Sequence, residues 1–339
     1  MSATLAEVAA RAGVSMATAS RVLNGSTRSV KQDLRQRVLE AAQDLQYVPN
    51  AHAQALVRAN TSLVGVIVHD VSDPYFSEIV RGIQIVASQS GRLVTICNSY
   101  RDPVRELEYV RLLHAQRVEA LILAGSGLDE REYNRKMGRQ VEALTSHGHR
   151  VVFIGRHQLS GDAVVPDNAG GARAMARLLA EYGHRDIGVI SGPSLLTTTR
   201  DRLEGFRHGL HEYGINLSTD RVITCDFSRD AGAQAAMALF ERHPQLSAIF
   251  ALNDVMAIGA LSALRARGIR VPEDLSVVGF DDIPIVSDVT PTLTTVHVPM
   301  ADLGRRAIEL ALQPVSSDVR VEYLSTTLVI RDSLRRLSS

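Results

Sequence analysis

From residue 61 onward, short and almost uninterrupted apolar runs alternate with helical stretches, and the cycle starts again near residue 187. Leu63–Val68, Arg92–Cys97, Ala120–Ala124 and Val151–Gly155 form the first set, with a helix predicted over Glu78–Ser90. Ile187–Ile190, Ala248–Ala251 and Leu275–Phe280 form the second. Strands that are apolar on both faces and separated by helices imply parallel sheets covered on both sides. The expected fold class is therefore α/β, with two successive doubly wound sheets. Ligands on such sheets sit beyond the carboxyl ends of the strands. Polar residues cluster at those ends: His69 and Asp70, Asn98, Arg156, Asn253 and Asp254, Asp281 and Asp282.

The first 60 residues follow a different pattern. Thr4 and Glu7 have the spacing of a capping box, in which a hydroxyl and a carboxylate satisfy each other's backbone N–H. Leu5, Val8 and Ala9 recur at helical spacing, and Gly13 breaks the helix. Ser15 can cap a second helix running to Leu23, which Asn24 and Gly25 close. Two short helices joined by a Gly-containing turn describe a helix-turn-helix. A third helix, Gln32–Leu45, carries Leu34, Val38, Ala41, Ala42 and Leu45 on one face as a small core. A plain three-helix bundle has the same spacing. The second helix goes further by presenting Ser15, Thr18, Ser20, Arg21 and Asn24, all suited to phosphates or base edges. Residues 1–60 carry seven Arg and Lys against four acids, so this head is basic on a mildly acidic body, as in nucleic-acid readers. After it, Pro49 stops one helix and Asn50 can cap another that is too short and Ala-rich to be stable alone.

The order Thr4, Leu5, Val8, Ala9, Ala12, Gly13, Val14, Ser15, Thr18, Ser20, Arg21, Val22, Leu23, Asn24, then Tyr47, Pro49, Asn50, Ala53 and Leu56, resembles the lactose-repressor type (LacI/GalR) family. The resemblance continues through Pro74–Phe76, Asp167–Gly171, Gly183–Gly188, Arg202–Phe206, Asn253–Leu261, Val271–Asp282 and Pro291–Thr295. It implies a helix-turn-helix head at 1–46, a hinge helix at 47–60 and a two-lobed, periplasmic-binding-protein-like body at 61–339. Lobe 1 is expected at about 61–160 and 291–320, and lobe 2 at about 161–290 and 321–339. It also implies a homodimer on a near-palindromic operator. Met16, Ala17 and Arg21 would face bases, and Leu56 would wedge into the minor groove. Thr4, Ser15, Thr18, Ser20, Asn24, Asn50, Ala53 and Gln54 complete the expected DNA contacts. Met16 and Ala17 cannot make bidentate bonds to adenine, whereas Arg21 can fork onto guanine. Where the family has Val-Ser before the third helix, this chain has Val30 and Lys31, leaving Ser29 with Gln32 as the alternative cap.

Carried over residue by residue, the effector cleft comprises Asp70, Tyr75, Phe76, Arg156, Thr198, Arg202, Phe227, Asn253 and Asp281. Aromatic faces suit a sugar or a purine ring, and Arg and Asp supply charge-assisted hydrogen bonds. A sugar is the expected effector. Arg156 with Arg202 would admit a sugar acid or a phosphate. Arg202 and Asp281 have a structural alternative, as partners of each other.

Other functions find little support. His208 with His211, and His147 with His149, lack a third ligand, so no metal site is expected. Gly125-Ser126-Gly127 lacks the first glycine of a nucleophile elbow, and no phosphate-binding Gly-Lys loop occurs. No cofactor and no enzyme activity are expected. A transport-type binding protein would need a secretory leader, and Met1–Ala10 shows no basic segment followed by an apolar core. No apolar run approaches the roughly 20 residues of a membrane span. Two cysteines, Cys97 and Cys225, fit free thiols in a reducing cytoplasm.

Overall fold

The computed structural model describes residues 3–23, 30–47, 62–314 and 318–337. The chain divides into two compact units, residues 1–62 and 63–339.

In the first unit, α1 (Leu5–Ala12) begins at the expected capping box: Thr4 N–H donates to Glu7 Oε2 at 2.7 Å, and Glu7 N–H donates to Thr4 Oγ1 at 3.3 Å. It ends at Gly13, whose φ of 63° suits a residue without a Cβ. In α2 (Met16–Leu23), Ser15 Oγ accepts from Thr18 N–H at 3.1 Å, so Ser15 caps as expected. α3 (Gln32–Asp44) has no side-chain cap at Lys31; Ser29 lies outside the described residues. Val8, Ala9, Ala12, Ala19, Val38, Ala41 and Ala42 form the core. Leu34, expected there, is only half-buried. The Arg37 guanidinium reaches across from α3 to the Ala12 carbonyl and so covers the open end of α1.

The second unit holds two parallel sheets. The first comprises β1 (Leu63–Val68), β2 (Leu93–Asn98), β3 (Ala120–Ala124), β4 (Arg150–Ile154), β5 (Asp162–Pro166) and β11 (Val321–Leu324), in the order β11-β5-β4-β3-β1-β2. The second comprises β6 (Ile187–Ser191), β7 (Val222–Thr224), β8 (Ala248–Ala251) and β9 (Ser276–Val278), in the order β7-β6-β8-β9. A ribbon of β10 (Thr295–His297) and β12 (Thr327–Val329) adjoins β9 through the Val278–Thr294 bridge. Helices α4 (Pro74–Gln89), α5 (Pro103–Ala115), α6 (Arg131–Ser146) and α11 (Met300–Leu312) cover the first sheet. Helices α7 (Asn168–Glu181), α8 (Thr197–His211), α9 (Arg229–Arg242) and α10 (Asp254–Ala266) belong to the second lobe. α4 and α11 touch backbone to backbone. A Cβ on Gly82 would meet the Ala301 carbonyl, and one on Gly304 would meet that of Ile79.

The lobe boundaries differ from expectation. β5 and β11 pair with each other inside the first sheet, so residues 161–166 and 321–324 belong to lobe 1. Thr294 bridges to Val278 and His297 to Asp281, so the segment leading into β10 and β10 itself belong to lobe 2. Apolar pattern alone identifies a strand but not the sheet it joins. The three crossings fall between β5 and α7, β10 and α11, and β11 and β12. The first and third are tied together by Asp167 N–H to the Leu324 carbonyl at 2.9 Å and Thr326 Oγ1 to the Asp167 carbonyl at 3.1 Å.

Candidate DNA-reading helix and ligand cleft

On α2, Ala19 is buried against α1 and α3 while Ser15, Met16, Ala17 and Arg21 are exposed. Positions 16, 17, 20 and 21 lie on one helical face. Thr18 and Ser20 are half-buried, and the Thr18 hydroxyl lies 2.9 Å from that of Ser15. The Thr4 hydroxyl is engaged with Glu7. Arg11 pairs with Asp44, whereas Arg21, Lys31 and Arg35 have no acidic partner among the described residues. The outward face of α2 thus carries an apolar pair and a free guanidinium. Asn24, Asn50, Ala53, Gln54 and Leu56 lie outside the described residues.

In the body, a cleft of about 470 Å³ opens where the strand ends of both sheets face each other. Tyr75, Phe76, Thr198, Arg202, Phe227, Asn253 and Asp281 all line it. The predicted helix start at Glu78 is corrected to Pro74, because Asp73 caps the helix by accepting from Tyr75 N–H at 3.0 Å and Pro74 opens it. Tyr75 and Phe76 therefore occupy the first turn, edge to face with ring centroids 5.1 Å apart. Phe227 closes the opposite side, its ring seated on Gly192, where a Cβ would collide with it. Asn253 caps α10 through Oδ1, which accepts from Met256 N–H at 2.9 Å.

The floor is a buried charge network. Arg202 donates through Nη2 to Asp281 at 2.7 Å, through Nε to Asn168 Oδ1 at 2.8 Å and through Nη1 to the Leu252 carbonyl at 2.5 Å. Its guanidinium lies 3.8 Å from the Phe280 ring centre. Burial pushes the Asp281 carboxyl up to about 6, and the Arg202 charge pulls against that. Asp281 stands at φ 116°, a conformation few L residues adopt. Beneath it Asp254, also raised by burial, accepts from Thr295 Oγ1 at 2.6 Å and Ile283 N–H at 3.0 Å. Arg202 and Asp281 thus pair with each other and also line the cleft.

Two expected lining residues lie elsewhere. Asp70 sits in an open groove beside the cleft, where its carboxylate accepts from Ser72 N–H at 2.9 Å. Arg156 is exposed and pairs with Asp201 across the lobes, Nε to Oδ2 at 2.9 Å. A second cross-lobe pair joins Arg200 to Asp129, and Thr197 donates to the Arg156 carbonyl at 2.7 Å. Arg156 lies at a strand end, as expected, but that end faces a carboxylate of the other lobe.

Asp73, Arg101, Ser126 and Pro166 line the cleft without having been singled out. The Asp73-Pro74 pair is a helix-start signal that sequence reasoning could have used. Arg101, three residues beyond β2, carries no motif. Among the described residues no group of His, Cys, Asp and Glu side chains is arranged to hold a metal ion. No helix among them is long and apolar enough to cross a membrane.

A helix-turn-helix head with an exposed reading face, joined to a two-lobed ligand-binding body, defines a DNA-binding transcriptional regulator. Residues 4–50 match the family described as bacterial regulatory proteins, lacI family, and residues 176–334 match the periplasmic binding protein-like domain. The HTH-type transcriptional regulator GalS of Salmonella typhimurium is 40% identical over 341 residues, covering 98% of this chain and 96% of GalS. The structure of the lac repressor dimer bound to operator and the anti-inducer ONPF superposes with a TM-score of 0.84 at 29% identity, covering 98% of this chain and 99% of that one. A complex of the transcriptional regulator CelR with cellobiose gives 0.72 at 31% identity, covering 98% and 99%. The chain belongs to the lacI family of bacterial regulatory proteins.

Proposed function

We propose that this chain is a cytoplasmic repressor that binds a near-palindromic operator as a homodimer and changes its operator affinity when a sugar or sugar derivative occupies the cleft. One observation carries the reading: a single cleft gathers Tyr75, Phe76, Thr198, Arg202, Phe227, Asn253 and Asp281 at the strand ends of both lobes. Aromatic faces at Tyr75 and Phe227 stack on the apolar face of a pyranose, and Asp281 with Asn253 receives its hydroxyls. The lac repressor relative was solved as a dimer on operator, and the CelR relative with a disaccharide. In the head, Arg21 reads a base while Met16 and Ala17 supply apolar contact. Residues 47–60 couple the cleft to the DNA, with Leu56 as the minor-groove wedge. Ligand and operator are linked because each biases the same pair of global states.

The test is a gel shift of the purified full chain on its own promoter region, with and without sugars. A specific shift that a sugar weakens or strengthens is expected. Specific binding that survives deletion of residues 1–58, or a shift that no cleft ligand alters, would refute the assignment. Leu56→Ala is expected to lose specific binding while keeping nonspecific binding; unchanged operator affinity in footprinting would refute the wedge.

A further inference from the structure

Arginines in a ligand cleft indicate a ligand's charge only if their donors are free. Arg202 is largely spent: three of its five N–H donors reach Asp281, Asn168 and the Leu252 carbonyl, and the Asp281 carboxylate matches its charge. Arg156 is spent on Asp201 and does not line the cleft.

Arg101 is different. It lines the cleft between the lobes and also the two cavities that adjoin it. It is half-buried, yet it makes no hydrogen bond or ion pair with any described residue. It makes a cation–π contact, with the guanidinium carbon 5.0 Å from the Phe227 ring centre. A cation–π contact supplies no lone-pair acceptor, so the N–H donors of the guanidinium stay available to one. The backbone holds it there, since Tyr100 and Arg101 both take positive φ, 52° and 56°, which turns the chain sharply after β2.

The carboxylates around Arg101 do not supply the acceptor. Asp73 and Asp70 accept from the backbone N–H groups of Tyr75 and Ser72, and Asp226 is exposed. None stands within ion-pair distance of Arg101. On the far wall the first turn of α8 faces the same space through Thr198, and the hydroxyl of Thr199 behind it is buried without a partner. A helix N-terminus adds positive potential. A partly desolvated cation with unfilled donors is best satisfied by a charged acceptor, because charge-assisted bonds are roughly twice as strong as neutral ones.

We propose that Arg101 binds an anionic oxygen group of the effector, a carboxylate or a phosphate ester carried on a sugar. This rests on the sugar-effector reading above. The full chain is titrated calorimetrically with matched series: glucose, glucuronate and glucose 6-phosphate; galactose, galacturonate and galactose 6-phosphate; ribose and ribose 5-phosphate. In at least one series an anionic member is expected to bind tenfold or more tightly than its neutral parent. A uronate or an ester as the winner tells carboxylate from phosphate. Arg101→Met should shrink that preference below threefold, and a melting midpoint and operator gel shift like those of wild type report that the variant is folded. Arg101→Lys should keep part of it. Neutral sugars that bind as tightly as their anions in every series, or a preference that persists in Arg101→Met, would overturn the assignment of Arg101 and leave the sugar reading standing. Heat of binding from no member of the panel would sink the sugar reading and this proposal together.

Discussion

Removing the Arg202 charge from beneath the cleft separates the two roles of the buried pair. The side chains of Arg202 and Asp281 are 3% and 6% exposed, so neither charge is appreciably hydrated. Breaking such a pair from one side costs about 3–5 kcal/mol, because the surviving charge stays buried without compensation. Arg202→Met keeps the side-chain length and the contact with Phe280 but leaves Asp281 alone. For a body of this size, at roughly 2 °C per kcal/mol, the midpoint should fall by roughly 6–10 °C. Adding Asp281→Asn removes the stranded charge and preserves a side chain that tolerates positive φ. The double variant should therefore be no less stable than Arg202→Met alone. Proton uptake gives a second signature. A carboxyl with a folded-state value near 6, above its unfolded value, contributes stability that is lost as pH rises through that range. Without Arg202 the Asp281 carboxyl rises further. The deficit of Arg202→Met should thus be smaller at pH 5 than at pH 8. Thermal melts and urea titrations of wild type, both single variants and the double at the two pH values measure all of this. Additive losses in the double variant, or a deficit independent of pH, would refute the reasoning. Cleft ligands should lose affinity in all three variants.

The remaining expectations are simpler. Arg21→Ala should relax base preference at one half-site position by about 1–3 kcal/mol, read by competition among base-substituted operators; a uniform loss across all sequences would make Arg21 a phosphate contact instead. Thr4→Ala opens the capping box of α1 and should cost about 1 kcal/mol of head stability, seen in denaturation of the head. The cross-lobe pairs of Arg156 with Asp201 and Arg200 with Asp129 are partly exposed and should contribute at most about 1 kcal/mol each. Asp129→Ala with Asp201→Ala should therefore leave the melting midpoint nearly unchanged and weaken effector binding only a few-fold, as calorimetry would show. Burial drives the His157 imidazole down to about 4, below its unfolded value, so its contribution is lost as pH falls from about 6.5 toward 4. His157→Phe should flatten that part of the stability–pH curve; an unchanged slope would assign the acid sensitivity elsewhere.

What was legible in the sequence and what was not divides along a physical line. Strand and helix identity follows from local periodicity, so the apolar run at Leu63–Val68 and the capping box at Thr4 could be read directly. Sheet membership is a long-range property. Nothing within residues 321–324 tells that they pair with residues 163–166 rather than with lobe 2. The cleft was largely legible because family motifs fix residues at strand ends and first helical turns, where the backbone decides which way a side chain points. Arg156 shows the limit, since its strand end was right and its partner, Asp201, came from the other lobe.

Arg101 shows the other limit. Its significance lies in a difference between cations that look alike in sequence. Arg156 and Arg202 are matched by carboxylates more than 40 residues away, and Arg101 is not. Which of three arginines keeps an unmatched charge is decided only after every acceptor near them has been assigned. Charge in a cleft is thus a property of unsatisfied bonds, and composition cannot report it. If the effector is anionic, the negative charge that the sequence suggested for Arg156 and Arg202 was right in kind and placed on the wrong residues, and the variants of Arg101 decide between those placements.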